Sequence, residues 1–190
     1  MIFKLQTPNI RSAIRAGTLI LAIILLYSSC KERKADTVTE TLVIYNAADS
    51  LLADGKTMVL VPVVGRLVFI DSTLPLEKKI SILADTLSVV HFNGLKIDLL
   101  RITNTDDYRV MVVNLQENND FRGPGTVAPY HSWYDFFQGS YGGQSTTIIL
   151  TNTLLQKTYP GEWPSVLEIY YNGTPIEEWD HINLNGRLER

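Results

Sequence analysis

The feature that most constrains the fold is a run of apolar residues at helical spacing between residues 76 and 90. Its members follow one another at intervals of three or four residues: Leu76, Ile80, Leu83, Leu87 and Val90. This spacing places the side chains on one face of an α-helix, which must then pack against a second layer. Ser72 and Thr73 precede the run as candidate N-caps, and Asn93-Gly94 ends it.

Segments rich in β-branched residues predict strands before this helix. Thr41–Ala47 is predicted as the first strand and Ala48–Lys56 as a polar connection. Thr57–Ile70 is also β-branched, but Pro62 and Gly65 interrupt it. We predict two short strands or one bent edge strand there, because proline cannot donate a hydrogen bond to a central ladder.

The second half of the chain predicts further strands and one ambiguous segment. Leu95–Thr103 and Tyr108–Leu115 form a predicted hairpin, and Val166–Tyr171 with Thr174–Trp179 forms another around Asn172-Gly173. Residues 145–158 are left open between strand and helix. Their β-branched residues favour a strand, whereas their length and the preceding glycines favour a helix. The pattern is typical of a small α+β domain.

The first thirty residues have the order of an export signal. Residues 1–29 carry three basic residues and no acidic one, and they contain the apolar run Leu19–Leu26. That run is shorter than the roughly 20 residues of a spanning helix. Leu26–Cys30 resembles a bacterial lipobox, which implies that Cys30 receives acyl groups such as palmitate and becomes the mature N-terminus. The alternatives are a short membrane anchor, a buried helix or an unmodified cysteine.

Residues 30–40 are predicted as a lipidated cysteine followed by a charged tether, because they contain six charges and one large apolar residue. A single domain is predicted from residue 41 to residue 190. The formal net charge of the whole chain is -3, and without the three basic residues of the signal 14 basic residues face 20 acidic ones, a net charge of -6. A domain with this negative net charge is a poor candidate for nucleic-acid binding, because phosphate groups are bound by basic residues. One cysteine also excludes an intramolecular disulfide and a cysteine-cluster zinc site.

Catalytic and metal-binding patterns are weak in this sequence. His91, His131 and His181 show no paired spacing, so we expect no metal. Ser140 directly follows Gly139, so it does not fit the nucleophile-elbow pattern. A triad of Ser140 with His131 and Asp135 has no supporting motif. We therefore expect no catalytic residues and no cofactor, and we keep a hydrolase as a weak alternative.

An aromatic cluster is the most unusual feature of the chain. Seven of its 18 aromatic residues lie between Phe121 and Tyr141, in the aperiodic segment 118–143. One interpretation is a small core that covers one end of the sheet. The other is a contact surface for a protein, a glycan or a small molecule. The candidate binding residues are Arg122, Tyr130, His131, Trp133, Tyr134 and Asp135, with Trp133 and Tyr134 expected to stack.

The order of these elements resembles the GerMN domain, the sporulation and spore germination module of bacterial envelope lipoproteins. The matching segments are residues 60–66, 110–115, 150–156, 168–173, 181–184 and 188–190. Two features depart from the family: its Gly-Pro turn after the first helix is replaced by Phe92-Asn93-Gly94, and segment 118–143 is longer than usual. The resemblance implies two helices on one face of a small mixed sheet, as in ring-building motifs. It also implies that residues 145–158 are helical.

These inferences lead to a functional expectation. We expect a lipid-anchored cell-envelope protein whose GerMN-like domain is a non-catalytic interaction module. Its partners would be the membrane, through the lipid, and an envelope protein, with homo-oligomerisation left open. The alternative is a ligand- or glycan-binding lipoprotein that uses segment 118–143. An open aromatic groove would favour the alternative, whereas a packed segment beside a flat exposed surface would favour protein contact.

Overall fold

A computed structural model describes residues 38–118 and 132–190, which form two β-sheets and three helices. In chain order the elements of these ranges are β1 (Thr39–Leu51), β2 (Met58–Asp71), α1 (Leu76–His91), β3 (Lys96–Asn104), β4 (Arg109–Gln116), α2 (Trp133–Phe136), α3 (Ser140–Leu155), β5 (Val166–Tyr171), β6 (Thr174–Pro175) and β7 (Arg187–Glu189). The mixture of helices with antiparallel and parallel strands confirms the predicted α+β class.

The first sheet is a long antiparallel hairpin of β1 and β2. It is longer than predicted, because Ala48–Leu51 continue β1 by pairing with Met58–Val61 instead of forming a connection. The register shifts between Ile44 and Tyr45, and Gly65 is the extra residue on the opposite strand. The second predicted segment is therefore one bent edge strand with a β-bulge.

Helix α1 confirms the prediction from the apolar run. Ile80, Leu83 and Leu87 are completely buried. The predicted caps are wrong, since Pro75 occupies the N-cap position and no side chain caps the helix. Thr73 instead donates from its backbone N–H and its hydroxyl to Oδ1 of Asp71, at 2.9 and 2.7 Å. Asp71 thus forms a local turn with Thr73. The prediction of an N-cap from Ser72 and Thr73 alone did not take this turn into account.

The second sheet has the order β3-β4-β5, with β6 and β7 both paired to the far edge of β5. The hairpin of β3 and β4 is confirmed, and β4 runs parallel to β5. The connection from β4 to β5 contains α3, as a parallel crossover requires. The predicted strand Thr174–Trp179 is wrong beyond Pro175, because Trp179 pairs with Ile182 in a separate bridge.

Helix α3 resolves the ambiguous segment as a helix, which begins at Ser140, before the expected Ser145. The helices pack on one face of the second sheet, where alternate residues of β4 such as Met111 and Val113 join the main core. On the other face, Val110 and Val112 form a smaller cluster. The hairpin joins the main core and packs along α3, so one core serves both sheets.

Candidate functional site

A buried carboxylate organises the end of the second sheet. Glu117 directly follows β4 and is only 8% exposed. Its Oε2 accepts the backbone N–H of Trp133 at 3.0 Å, and its Oε1 accepts that of Tyr134 at 2.9 Å. The hydroxyl of Tyr171 donates to the same Oε1 at 2.8 Å. Burial, followed by this hydrogen bond, raises the pKa of Tyr171 well above its ordinary value. Glu117 therefore fixes the start of α2 against β5.

Helix α2 is also capped by its own side chains. The hydroxyl of Ser132 donates to Oδ2 of Asp135 at 2.7 Å, and the backbone N–H of Asp135 donates to the Ser132 hydroxyl at 3.1 Å. The Ser132 hydroxyl is thus the N-cap of α2, and the Asp135 carboxylate holds this hydroxyl in place. Asp135 is 5% exposed, so it holds the helix and does not face a partner. This position corrects the expectation that Asp135 supplies a surface contact.

Within the described residues, part of the aromatic cluster forms a packed layer at the end of the sheet. Trp133 and Phe137 are buried, with their ring centroids 6.2 Å apart. The ring centroid of Phe92, directly after α1, lies 4.8 Å from that of Trp133. The Nε1–H of Trp133 donates to the backbone carbonyl of Lys96 at 3.3 Å. Trp133 therefore belongs to the core, which corrects the expectation that its ring is open for stacking.

Beside this layer lies a cleft with an aromatic wall. Trp179 contacts Tyr134 and Phe137 nearly edge-on, at centroid distances of 5.5 and 5.2 Å. The cleft has a volume of about 340 Å³. Its remaining lining is polar, namely Gln138, Glu178, Asp180 and His181. Of the predicted binding residues that lie in the described ranges, Tyr134 is the one that lines this cleft.

Helix α3 holds the segment that forms one side of the cleft. Gly143 lies so close to His181 that a Cβ at Gly143 would sit 2.3 Å from the His181 carbonyl oxygen. The backbone N–H of Asn183 donates to the hydroxyl of Thr147 at 3.1 Å. These two contacts attach residues 181–183 to the first turns of α3, so the position of the cleft depends on that helix.

Several predicted residues lie outside the described ranges. These are Arg122, Tyr130 and His131 of the candidate binding set, and Cys30 of the lipidation signal. The contacts predicted for Arg122, Tyr130 and His131 and the lipidation of Cys30 therefore stay predictions. Residues 1–29 and most of the predicted tether also lie outside those ranges.

The remaining reactive side chains are scattered. His91 ends α1, and burial lowers its pKa below the ordinary value of 6.5, although a helix C-terminus favours the charged form. Its Nε2 is buried and has no hydrogen-bond partner. Ser140 is exposed in the first turn of α3. Among residues 38–118 and 132–190, no three His, Cys, Asp or Glu side chains converge as metal ligands.

A second surface stands out by its apolarity. Most of the large apolar side chains that are exposed in the described residues lie on the first hairpin: Val38, Leu51, Leu52, Met58, Val63, Val64, Leu67 and Phe69. Phe69 and Leu67 are 67% and 48% exposed and lie opposite Thr41 and Val43 on the outer face. We call Val64, Leu67 and Phe69 the hairpin surface, because their partners Tyr45, Val43 and Thr41 alternate along one face of β1. Exposed apolar patches of this kind mark interaction sites.

Sequence reasoning missed Glu117, Trp179 and the hairpin surface. Glu117 had one local signal, an acidic side chain directly after β4, whose central residues Val110–Val113 are apolar. The hairpin surface also had one, since β2 is apolar on consecutive positions instead of alternating. Trp179 gave no signal, because its aromatic neighbours come from distant parts of the chain.

Comparisons with models of protein families, with curated proteins and with solved structures found no match. Of the helices in the described ranges, none has the length and apolar character needed to cross a membrane.

Proposed function

We propose that the chain is a lipid-anchored cell-envelope protein whose Val38–Arg190 unit is a GerMN-like interaction module without catalytic activity. The observation that carries this proposal is the hairpin surface. A row of exposed apolar side chains on a well-formed strand loses contact with water only when another protein covers it. The burial of Trp133 also supports protein contact, because this ring is not open to a ligand.

The two edges of the hairpin differ, and the difference indicates how a partner binds. Along β1, the side chain of Gln156 accepts the N–H of Val43 at 2.9 Å and donates to its carbonyl at 2.6 Å. The hydroxyl of Thr153 accepts the N–H of Tyr45 at 3.0 Å. These side chains occupy the edge that a further strand would need, so helix α3 protects β1 from pairing.

The edge of β2 is interrupted instead of covered. Pro62 lacks an N–H, and the bulge at Gly65 bends the strand. Both features disfavour the addition of another strand. The partner is therefore expected to contact the side chains of the hairpin surface and not to extend the sheet.

A photo-crosslinking residue tests this proposal in native membranes. Placed at Phe69 of the full-length protein, it should give one discrete cross-linked protein. The matched control is position 89, where Val89 is 74% exposed on α1, away from the hairpin. The substitution Leu67→Thr should weaken the cross-link from position 69, because it removes apolar area and keeps strand propensity. Equal cross-linking from both positions, or none from position 69, would contradict the proposal.

The absence of catalysis has its own test. The purified protein should show no turnover in a screen of esterase, glycosidase and peptidase substrates. Turnover that disappears in Ser140→Ala or His131→Ala would replace the interaction module with a hydrolase.

A further inference from the structure

We infer that the cleft between α2 and residues 178–181 binds an organic ammonium group, carried either by a lysine side chain or by a choline-type headgroup. This site is separate from the hairpin surface and does not depend on the function proposed for that surface. Three properties of the cleft, as residues 132–190 form it, support the inference: its aromatic wall, two carboxylates without a partner among the described residues, and a described lining without lysine or arginine.

The aromatic wall supplies the first interaction. Trp179 is fixed by three nearly perpendicular ring contacts, with Tyr134, Phe137 and Tyr171, at interplanar angles of 65°, 80° and 86°. Trp179 itself is partly exposed and lines the cleft together with Tyr134. Tryptophan gives the strongest cation–π attraction of the aromatic side chains, and a ring that is already held loses little entropy when a ligand binds.

The carboxylates supply the second interaction. Glu178 and Asp180 stand on either side of Trp179 in sequence, and both line the cleft. Both are exposed, and neither takes part in a hydrogen bond or an ion pair within the described ranges. No lysine or arginine from the described part of the chain lines this cleft. The described lining therefore carries a net negative charge, which attracts a cation and repels an anionic ligand.

The size of the cleft is consistent with a headgroup or a side-chain end. Its volume of about 340 Å³ lies at the lower limit of small-molecule pockets. Gln138 and His181 offer additional hydrogen-bonding groups at the rim. A methylated or primary ammonium can therefore lie against the Trp179 ring with both carboxylates nearby.

Titration of the full-length protein in maltoside micelles tests the inference. The probes are choline chloride, N-acetyl-lysine methylamide and 3,3-dimethylbutan-1-ol, the neutral carbon analogue of choline. We expect at least one of the two cations to bind about tenfold more tightly than the neutral analogue, which corresponds to about 1.4 kcal/mol. Added salt should weaken binding of the cation and leave the analogue unaffected. The cation that binds identifies the source, a lipid-type headgroup or a protein side chain.

Two sets of variants separate the site from its surroundings. The double variant Glu178→Gln/Asp180→Asn should reduce the affinity for the cation to that for the neutral analogue. Glu177→Gln is the matched control, because Glu177 is exposed next to the cleft but does not line it. Trp179→Leu should abolish binding of cation and analogue alike, with circular dichroism as the check on folding.

Three results would overturn the inference. They are equal binding of the cations and the neutral analogue, unchanged cation affinity in the double variant, and no saturable binding of either cation below about 100 mM. Because the carboxylates of Glu178 and Asp180 are exposed, the double variant keeps the test decisive even if Trp179→Leu does not fold. Cross-linking at Phe69 is unaffected by any of these outcomes, so failure of this inference is distinguishable from failure of the interaction module.

Discussion

Single residues determine how the C-terminal segment meets α3, and Gly143 is the clearest case. A Cβ at this position would lie 2.3 Å from the carbonyl oxygen of His181 and 2.7 Å from its carbonyl carbon. Because both atoms are backbone, they cannot move aside as a flexible side chain can. We expect Gly143→Ala to lower the free energy of unfolding by about 1–3 kcal/mol, measured by urea denaturation.

The neighbouring glycine is the control for this effect. A Cβ at Gly142 would meet nothing within 4 Å. Gly142→Ala should therefore leave stability unchanged or raise it by up to about 1 kcal/mol, because alanine favours the helix. Equal effects of the two substitutions would mean that the contact with His181 does not hold the segment.

His91 is expected to make the protein sensitive to acid. Burial lowers its pKa in the folded state below 6.5, the value taken for the unfolded chain. The unfolded state then binds the proton more readily, so stability is complete above about pH 6.5 and decreases as the pH falls towards the folded pKa. We predict that His91→Gln loses less stability than the original protein between about pH 7.5 and 5.5, measured as the urea midpoint. A parallel decrease in both proteins would assign the acid sensitivity to other groups.

Among the elements, α3 and β1 are joined by two hydrogen bonds of Gln156 in addition to that of Thr153. Gln156 is 1% exposed, ends α3 in a left-handed conformation and bonds both backbone groups of Val43. Removing its amide leaves these groups without a partner at a strand edge. We predict that Gln156→Ala lowers the free energy of unfolding by about 1–3 kcal/mol, whereas Lys157→Ala, at an exposed neighbour, changes it by less than about 0.5 kcal/mol.

A further variant separates the two bonds. Gln156→Glu keeps the acceptor for the Val43 N–H but loses the donor to its carbonyl, so its stability should lie below that of the original protein. If Gln156→Ala is as stable as Lys157→Ala, the side chain does not protect the edge of β1.

The elements that local patterns specify were predicted well. Helix α1 follows from the apolar run that includes Leu83, and β5 was predicted with its observed ends. The extension of β1 through Ala48–Leu51 was missed because Ala48, Asp49 and Ser50 are small or polar, and their partners on β2 hold them in a strand. The caps of α1 were misassigned because the Asp71 carboxylate accepts hydrogen bonds from the backbone N–H and the hydroxyl of Thr73. Thr73 is therefore part of a turn and does not cap the helix.

The candidate site was much less predictable than the fold. The sequence pointed to the aromatic segment, but it did not distinguish the buried Trp133 from the accessible Tyr134. The cleft needs Trp179, which approaches α2 only after the C-terminal segment has packed on α3. Such contacts depend on tertiary structure, and no local spacing encodes them.

In the whole molecule, the hairpin surface and the cleft are expected to bind through different forces and to respond differently to salt. The hairpin surface is apolar, so binding there should depend weakly on salt. The cleft is lined by carboxylates and should depend strongly on it. Ionic strength can therefore separate the two activities in one preparation of the intact protein.

The lipid anchor is the remaining prediction at this level, and it concerns residues outside the described ranges. The order of basic segment, apolar run and Ser28-Ser29-Cys30 predicts that the Cys30 thiol receives a diacylglyceryl group and that the signal is then removed. Two or more acyl chains on one residue would hold the protein stably at a membrane, whereas one would not.

Cys30→Ala should therefore remain an uncleaved precursor without label when cells are grown with a radioactive or clickable fatty acid. Ser29→Ala is the matched control: it keeps a small residue beside the cut, so it should be labelled and processed like the original protein. Cys30→Ala differs from the original protein only in the loss of the thiol. A difference in label and in mass between these two proteins therefore isolates the lipidation. Normal labelling of Cys30→Ala would place the lipid elsewhere, and an unlabelled original protein would remove the anchor from the proposal.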